Sequence, residues 1–337
     1  MTAPYYATVE QLQAATDYKT TAYEQGRLAR LLDAASRKIE KRLHRHFFPL
    51  TEAVTFIDPP TSTLRRVTTS GFWLDRDLLA LTAATVDSTA QTVANVKTYP
   101  TSYGAPYSWI GLTGSTIVVT GRWGYSEDTT PAGAVAEEVD ISETAINVSD
   151  SSLIGIGDLI KCESEQMLVT GKTQLDSAQN LGAGGLTASV ADVTVDLTDG
   201  TAFNVGEIIL IDSEKMLILD IAGNNGTVER AYDGTVLAAH AGGADIYAPR
   251  TLSVVRGAVG TTAATHVDTT ALVKNVPPAP VTELCIAEAV TAYEQEASGY
   301  GRTIGSGDSV REARGAGLRG LQMTVADSYR RVRTPSL

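Results

Sequence analysis

Cysteine is scarce in this chain, with only Cys162 and Cys285 in 337 residues. Two cysteines so far apart exclude a disulfide framework and read as small buried residues in a reducing compartment. There are only four histidines, and no Cys/His cluster has zinc spacing, so no metal is expected. No apolar run approaches 18 residues and the N-terminus lacks a basic-then-apolar layout. The expectation is therefore a soluble chain made in the cytosol, with no membrane partner. Positive charge is also short: 27 Lys and Arg stand against 39 Asp and Glu, for a net charge of −12, which argues against a general binder of nucleic acid or anionic membranes. What remains is 43% hydrophobic and 20% charged, a globular composition with enough length for two domains.

The charge is unevenly placed. Residues 1–126 carry 13 basic and 10 acidic side chains, residues 127–296 carry 7 and 26, and residues 297–337 carry 7 and 3. Basic ends around a −19 middle suggest that the ends form one body and the middle another, with the acidic block as solvated surface. Within the first body, Tyr23 to about His46 reads as a helix, with Leu28, Leu32, Ala35, Ile39 and Leu43 on one face. Arg27, Arg30, Arg37, Lys38, Lys41, Arg42 and Arg45 fill an adjoining arc of about 140°. Phe47-Phe48-Pro49 is expected to end this helix.

Around it, Thr8 and Gln11 resemble a capping box opening a short helix, Val9 to Ala15. From Thr51 the texture is β-branched and aromatic, predicting short strands at 53–57, 72–74, 79–86, 95–99 and 116–121, with Trp73, Trp109 and Trp123 packing among them. Glu127 to Glu138 reads as a polar linker. After Pro277-Pro278-Ala279-Pro280 come a helix from Val281 to about Ala297, a glycine-rich arm over 299–308, and a last amphipathic helix carrying Leu318, Leu321, Val325 and Tyr329.

The middle block contains an internal repeat. Residues 144–170 align without gaps on 193–219 at an offset of 49, and 228–235 match 254–261 at an offset of 26, with His240 matching His266. The order of the halves is that of one small β unit carrying a copy of itself in its middle. The expected division is a core of 1–133 with 276–337 and an inserted β domain of 134–275. The outer unit is 141–171 with 251–275, and the inner unit 191–249.

Catalytic patterns are weak. Gly171-Lys172-Thr173 resembles the end of a phosphate loop, but Gln166 stands where the first glycine belongs. Gly155-Ile156-Gly157 and Gly182-Ala183-Gly184 lack the third glycine of a dinucleotide loop. No nucleophile elbow occurs. No enzymatic activity and no cofactor are expected, and His240 and His266 read as structural hairpin residues.

The outer parts of the chain resemble the head–tail connector (adaptor) proteins of tailed bacteriophages. The resemblance rests on Tyr6-Ala7-Thr8-Val9-Glu10, on residues 30–40 and Phe47-Phe48-Pro49, on Phe72-Trp73-Leu74-Asp75, on 119–125, and on a late helix with a basic tail. It covers roughly 5–130 and 276–337. It implies an α+β fold, a helical connector core with a small antiparallel β region, here plus an inserted all-β domain built from a duplicated unit. It further implies a virion protein of the neck, assembled in the host cytoplasm as a twelvefold homo-oligomeric ring. Such a ring joins the portal to a head-closure (stopper) or tail protein and passes double-stranded DNA through its lumen without sequence specificity. Carried onto this sequence, portal docking falls to Arg311, Arg314, Leu318, Arg319, Leu321, Tyr329, Arg330, Arg331 and Arg333. Ring or neck contacts fall to Arg30, Arg37, Lys38, Lys41, Arg42 and Arg45. The alternatives are a head-closure or tail-completion protein, a surface- or glycan-binding decoration protein, and a sequence-specific DNA binder.

Overall fold

The computed structural model describes residues 3–16, 22–63, 70–101, 104–297, 303–304, 311–312 and 316–331. Helix α1 (Val9–Thr16) opens on a reciprocal capping box, in which the Gln11 amide donates to Thr8 Oγ1 (3.2 Å) and the Thr8 amide to Gln11 Oε1 (2.9 Å). Helix α2 (Ala22–Leu43) buries Leu28, Leu32, Ala35, Ile39 and Leu43, the stripe its periodicity requires. It stops at Leu43, six residues before the proline expected to end it (49 − 43), because His44 turns left-handed at φ +55°. Helices α3 (Ala279–Ala297) and α4 (Ala316–Tyr329) complete one layer with α1 and α2.

The strands beyond α2 form a seven-stranded antiparallel sheet: β1 (Leu50–Ile57), β2 (Ser62–Thr63), β3 (Ser70–Val86), β4 (Thr89–Ala90), β5 (Thr98–Tyr99), β6 (Tyr107–Ile110) and β7 (Thr116–Trp123). The main order is β1-β7-β3-β6-β5. Strand β3 runs continuously through the two strands predicted at 72–74 and 79–86, absorbing register shifts between Trp73 and Leu78 and again further along. One face buries Phe72, Leu78, Ile117, Val119 and Trp123.

A ten-stranded antiparallel sheet follows: β8 (Thr129–Ala134), β9 (Ala145–Asn147), β10 (Leu159–Cys162), β11 (Glu165–Asn180), β12 (Thr194–Asp196), β13 (Ile208–Ile211), β14 (Glu214–Ala222), β15 (Asn225–Glu229), β16 (Asp245–Val255) and β17 (Ala271–Asn275). Strand β8 lies inside the segment expected to be a linker. Its Thr129–Ala134 backbone pairs with β17, so this stretch is an edge strand of the sheet.

The architecture corrects the expected fold class. Antiparallel sheet dominates, and the four helices among the described residues form a layer against it rather than a helical connector core with a small β region. The physical reason lies in strand pairing: stretches that look short and separate in sequence share hydrogen-bonded neighbours far along the chain, so they merge into two large sheets.

The repeat has a concrete topology. The outer unit orders its strands β9, the second half of β16, the first half of β11, β10, β17. The inner unit repeats this as β12, β15, β14, β13 and the first half of β16. In the inner unit Ala222 pairs with Asn225 across a two-residue Gly223-Asn224 turn. The outer equivalents, Thr173 (222 − 49) and Thr251 (225 + 26), also pair, but between them the chain leaves along β11, builds the whole inner unit and returns along β16. The inserted copy therefore replaces a hairpin turn, where added length costs little ladder. Each unit has its own apolar core: Ile146, Ile160, Met167 and Leu252 belong to the outer, Val195, Ile209, Met216 and Ile246 to the inner.

Candidate functional site

Most of the basic arc of α2 is spent inside the molecule. Arg27 Nε lies 3.1 Å and Arg30 Nη2 2.9 Å from the Glu296 carboxylate at the end of α3. Lys38 Nζ meets Glu288, also on α3, at 2.5 Å. Arg37 pairs with Glu40 and Asp33 on its own helix, and donates to the Pro4 carbonyl. Arg45 lies 3.2 Å from Asp77 on β3 and over the Tyr125 ring. Lys41 and Arg42 alone of the predicted ring or neck residues are exposed with no ion pair among the described residues. The arc thus fastens α2 to α3 and to the first sheet, and leaves one exposed cationic pair at the helix C-terminus.

The predicted portal-docking residues divide likewise. Leu318, Leu321 and Tyr329 pack on the helical core, Tyr329 edge-on to Phe47 and Tyr125. Arg319 on α4 and Arg330, the residue that follows it, are exposed. Arg331 is buried: its amide donates to the Leu43 carbonyl at the end of α2, while its guanidinium donates to Asp77 Oδ1 (3.1 Å) and to the Leu74 carbonyl (2.8 Å). It clasps the C-terminal segment to α2 and β3. Arg311 contributes backbone to a two-residue pairing of Arg311–Glu312 (β19) with Thr303–Ile304 (β18), of which β18 lies within the stretch read as a glycine-rich arm. Arg314 and Arg333 lie outside the described residues, as does most of that arm.

The densest polar chemistry occurs in the two β units, in the same arrangement twice. In the outer unit Arg256 donates through Nε and Nη2 to both oxygens of Glu165 (2.8 and 2.9 Å), and the Gly257 and Ala264 amides donate to the same carboxylate (2.9 Å each). His266 places Nε2 2.9 Å from Glu165 and Nδ1 3.1 Å from Glu163. In the inner unit Arg230, Glu214, Ala231, Ala238, His240 and Asp212 reproduce every contact at 2.7–3.0 Å. Both central glutamates are fully buried. Burial alone would raise these carboxyls, but the guanidinium, the two amides and the histidine outweigh it and hold each at about 2.

Backbone geometry supports the cluster. Glu163 and Asp212 sit left-handed at φ +51°, as do Gly257 and Ala231 at +57° and +52°, so both tight turns swing their carboxylates and amides inward. Saturated by four donors, these glutamates have no lone pair ready to take a substrate proton; the clusters are structural cross-links. The acidic block is accordingly not simply solvated surface, since Glu165, Glu207 and Glu214 are buried in it. The expectation failed because net charge does not register which carboxylates have a guanidinium within reach. A signal was present, however: Glu, Arg and His recur at matching positions of both copies.

Lys172 of the loop-like Gly171-Lys172-Thr173 lies within β11, paired with Glu10 at 3.1 Å and donating to the Ser151 carbonyl. Burial pushes the Cys162 and Cys285 thiols up to about 11, which leaves them poor nucleophiles. A cleft of about 300 Å3 is lined by His44, Arg45, Arg76 and Asp77 among others. Its guanidiniums are already engaged with Asp77, Glu52 and Asp75. No family model matches the chain, and no curated protein or solved structure matches it.

Proposed function

We propose that the protein is a structural component of the tailed-phage neck, an adaptor that assembles as a homo-oligomeric ring between the portal and a head-closure or tail protein, with DNA passing through its lumen. The observation that carries this reading is the convergence of the scattered stretches on which the connector resemblance rests. The Tyr6 hydroxyl donates to Glu40 (2.7 Å) and accepts from the Phe47 amide (3.1 Å), and the Tyr6 amide donates to Ser36 Oγ (3.0 Å). The Tyr125 amide donates to the His46 carbonyl, and Arg331 joins Leu74 and Asp77 to the end of α2. Segments at 6–10, 30–40, 47–49, 72–75 and 119–125 thus share one junction with the C-terminal helix. In this reading that junction is the body an adaptor presents to its neighbours, a helical layer set against the sheets.

Chemical saturation elsewhere also favours a scaffold. The buried carboxylates are held by arginines and amides, and the exposed cations Lys41, Arg42, Arg319 and Arg330 stand ready for protein or phosphate contacts. Light scattering and negative-stain imaging of the purified chain test the reading. Rings are expected; a strictly monomeric protein at every concentration, also in the presence of portal protein, would overturn it.

A further inference from the structure

The duplicated unit offers an internal control for its own surfaces. In the outer copy, Ile156, Leu159 and Leu168 are 2%, 3% and 1% exposed, within the core shared by α1, α2 and α3. The cover is the N-terminal segment: the Tyr5 amide donates to the Gly157 carbonyl and the Val9 amide to the Ile156 carbonyl, each at 3.1 Å. The inner equivalents at an offset of 49 are Val205, Ile208 and Leu217. Val205 is 55% exposed, the other two are half-buried, and Leu219 beside them is 52% exposed. At these three positions the same face is therefore covered in one copy and open in the other, while Thr170 and Val255 at the outer rim stay exposed.

This face has a definite charge rim. Register places Glu229 opposite Leu217 and Asp220 opposite Thr227, so both carboxylates border the apolar stripe on its solvent side, and both are exposed. The outer copy has apolar Val255 at the position of Glu229 (229 + 26). A partner for the inner face must thus be apolar in the middle and basic at the edges. Helix α4 with Arg330, whose amide still donates to the Ala326 carbonyl, presents that pattern outward: Arg319, Met323 and Arg330 are exposed, Met323 to 51%, at spacings of four and seven along one face. Asp327 shares this face, and neither arginine has an ion pair among the described residues.

We propose that the open sheet face of the inner β unit receives α4 of a second copy of this chain. Leu219 and Leu217 meet Met323, and Asp220 and Glu229 meet Arg319 and Arg330. The proposal rests on the ring reading above and specifies its seam. Two different surfaces meet, so the contact is heterologous and propagates from subunit to subunit, closing when the rotation allows. Charge complementarity selects the partner, and the apolar centre supplies the burial.

The test uses two full-length variants altered only at exposed positions: Asp220→Lys with Glu229→Lys, and Arg319→Glu with Arg330→Glu. Each set opposes like charges across the seam when alone, and assembly measured by light scattering should weaken at least tenfold. An equimolar mixture restores opposite charges at every seam and should regain wild-type assembly. Met323→Ala should also weaken assembly while leaving the melting temperature unchanged at a dilution where the wild-type chain is also unassembled, which separates docking from folding. Undiminished rings from both charge variants would overturn the seam and leave the ring reading standing. A wild-type chain that never assembles would overturn both.

Discussion

The outer and inner β units carry the same buried Glu–Arg–His cross-link, yet they live in different surroundings. The outer unit is welded to the rest of the molecule: Ile156, Leu159, Leu168, Ala258 and Val259 belong to the helical core, and Gln166 donates to the Pro49 carbonyl. At the positions of Gln166 and Val259 the inner unit has Lys215 and Asp233, which pair with each other at 2.6 Å. Where Gln166 and Val259 face the core in one copy, an ion pair stands in the other. The internal framework of a module and its docking face are thus separable, the first repeated and the second rewritten.

The strongest way to break this comparison is excision. Replacing residues 174–250 with the Gly-Asn turn that the inner unit itself uses between Ala222 and Asn225 should leave a cooperatively folding chain, because Thr173 and Thr251 are already paired. Removing 134–275 instead strips Ile156, Leu159, Leu168 and Val259 from the helical core and β17 from β8, and should leave no cooperative melting transition. Circular dichroism melts of the two deletions decide it. If the chain lacking 134–275 melts as cooperatively as the one lacking 174–250, the outer unit is not integral to the core.

Next in size is the cross-link. Arg256→Ala leaves Glu165 buried without its guanidinium, and removing one partner of such a pair costs about 3–5 kcal/mol. Arg230→Ala makes the same change in the inner unit. The first should lower the stability of the whole molecule. The second should open mainly 181–244, visible as fast hydrogen exchange there with protection elsewhere kept. Equal, global loss in both would show that the two units unfold as one.

How far these features were legible follows from the range of the interactions behind them. Helix α2 was readable because Leu28, Leu32, Ala35, Ile39 and Leu43 lie within a few turns of one another, and periodicity captures local order. The duplication was readable because two copies were written in one chain. What was hidden is long-range pairing. Nothing local marks Thr129–Ala134 as the partner of Ala271–Asn275, or Arg331 as the clasp on Asp77 more than 250 residues away. The fold class was misjudged for that reason. The candidate surfaces were half legible: the positions of the arginines could be read, but which of them Glu288, Glu296 and Asp77 neutralise could not.

The smallest expected effect is a pH dependence that differs between the units. Glu165 and Glu214 are held at about 2, below their ordinary value near 4.5, so each contributes stability that is present above about pH 4.5 and lost as the pH falls toward 2. At pH 3, one and a half units below the ordinary value, that loss is at most about 2 kcal/mol per carboxylate. Glu207, lowered against burial by Arg250 and by the Ser151 and Asn204 amides, adds to it at the seam between the units. Glu40 in α2 and Asp158 in the outer unit act in the opposite direction. Burial raises both, so the folded state takes up their protons more readily than the unfolded chain and gains stability on acidification. That compensation lies in the helical body and outer unit, while the inner unit holds only lowered carboxylates among those with a shift. On acidification from pH 6 to pH 3, hydrogen exchange should therefore quicken first at Val228, Ile218 and Ile209 of the inner core, and only later at Met167 and Ile160 of the outer. Simultaneous opening would mean that the raised carboxyls of Glu40 and Asp158 do not set how the two copies respond to acid.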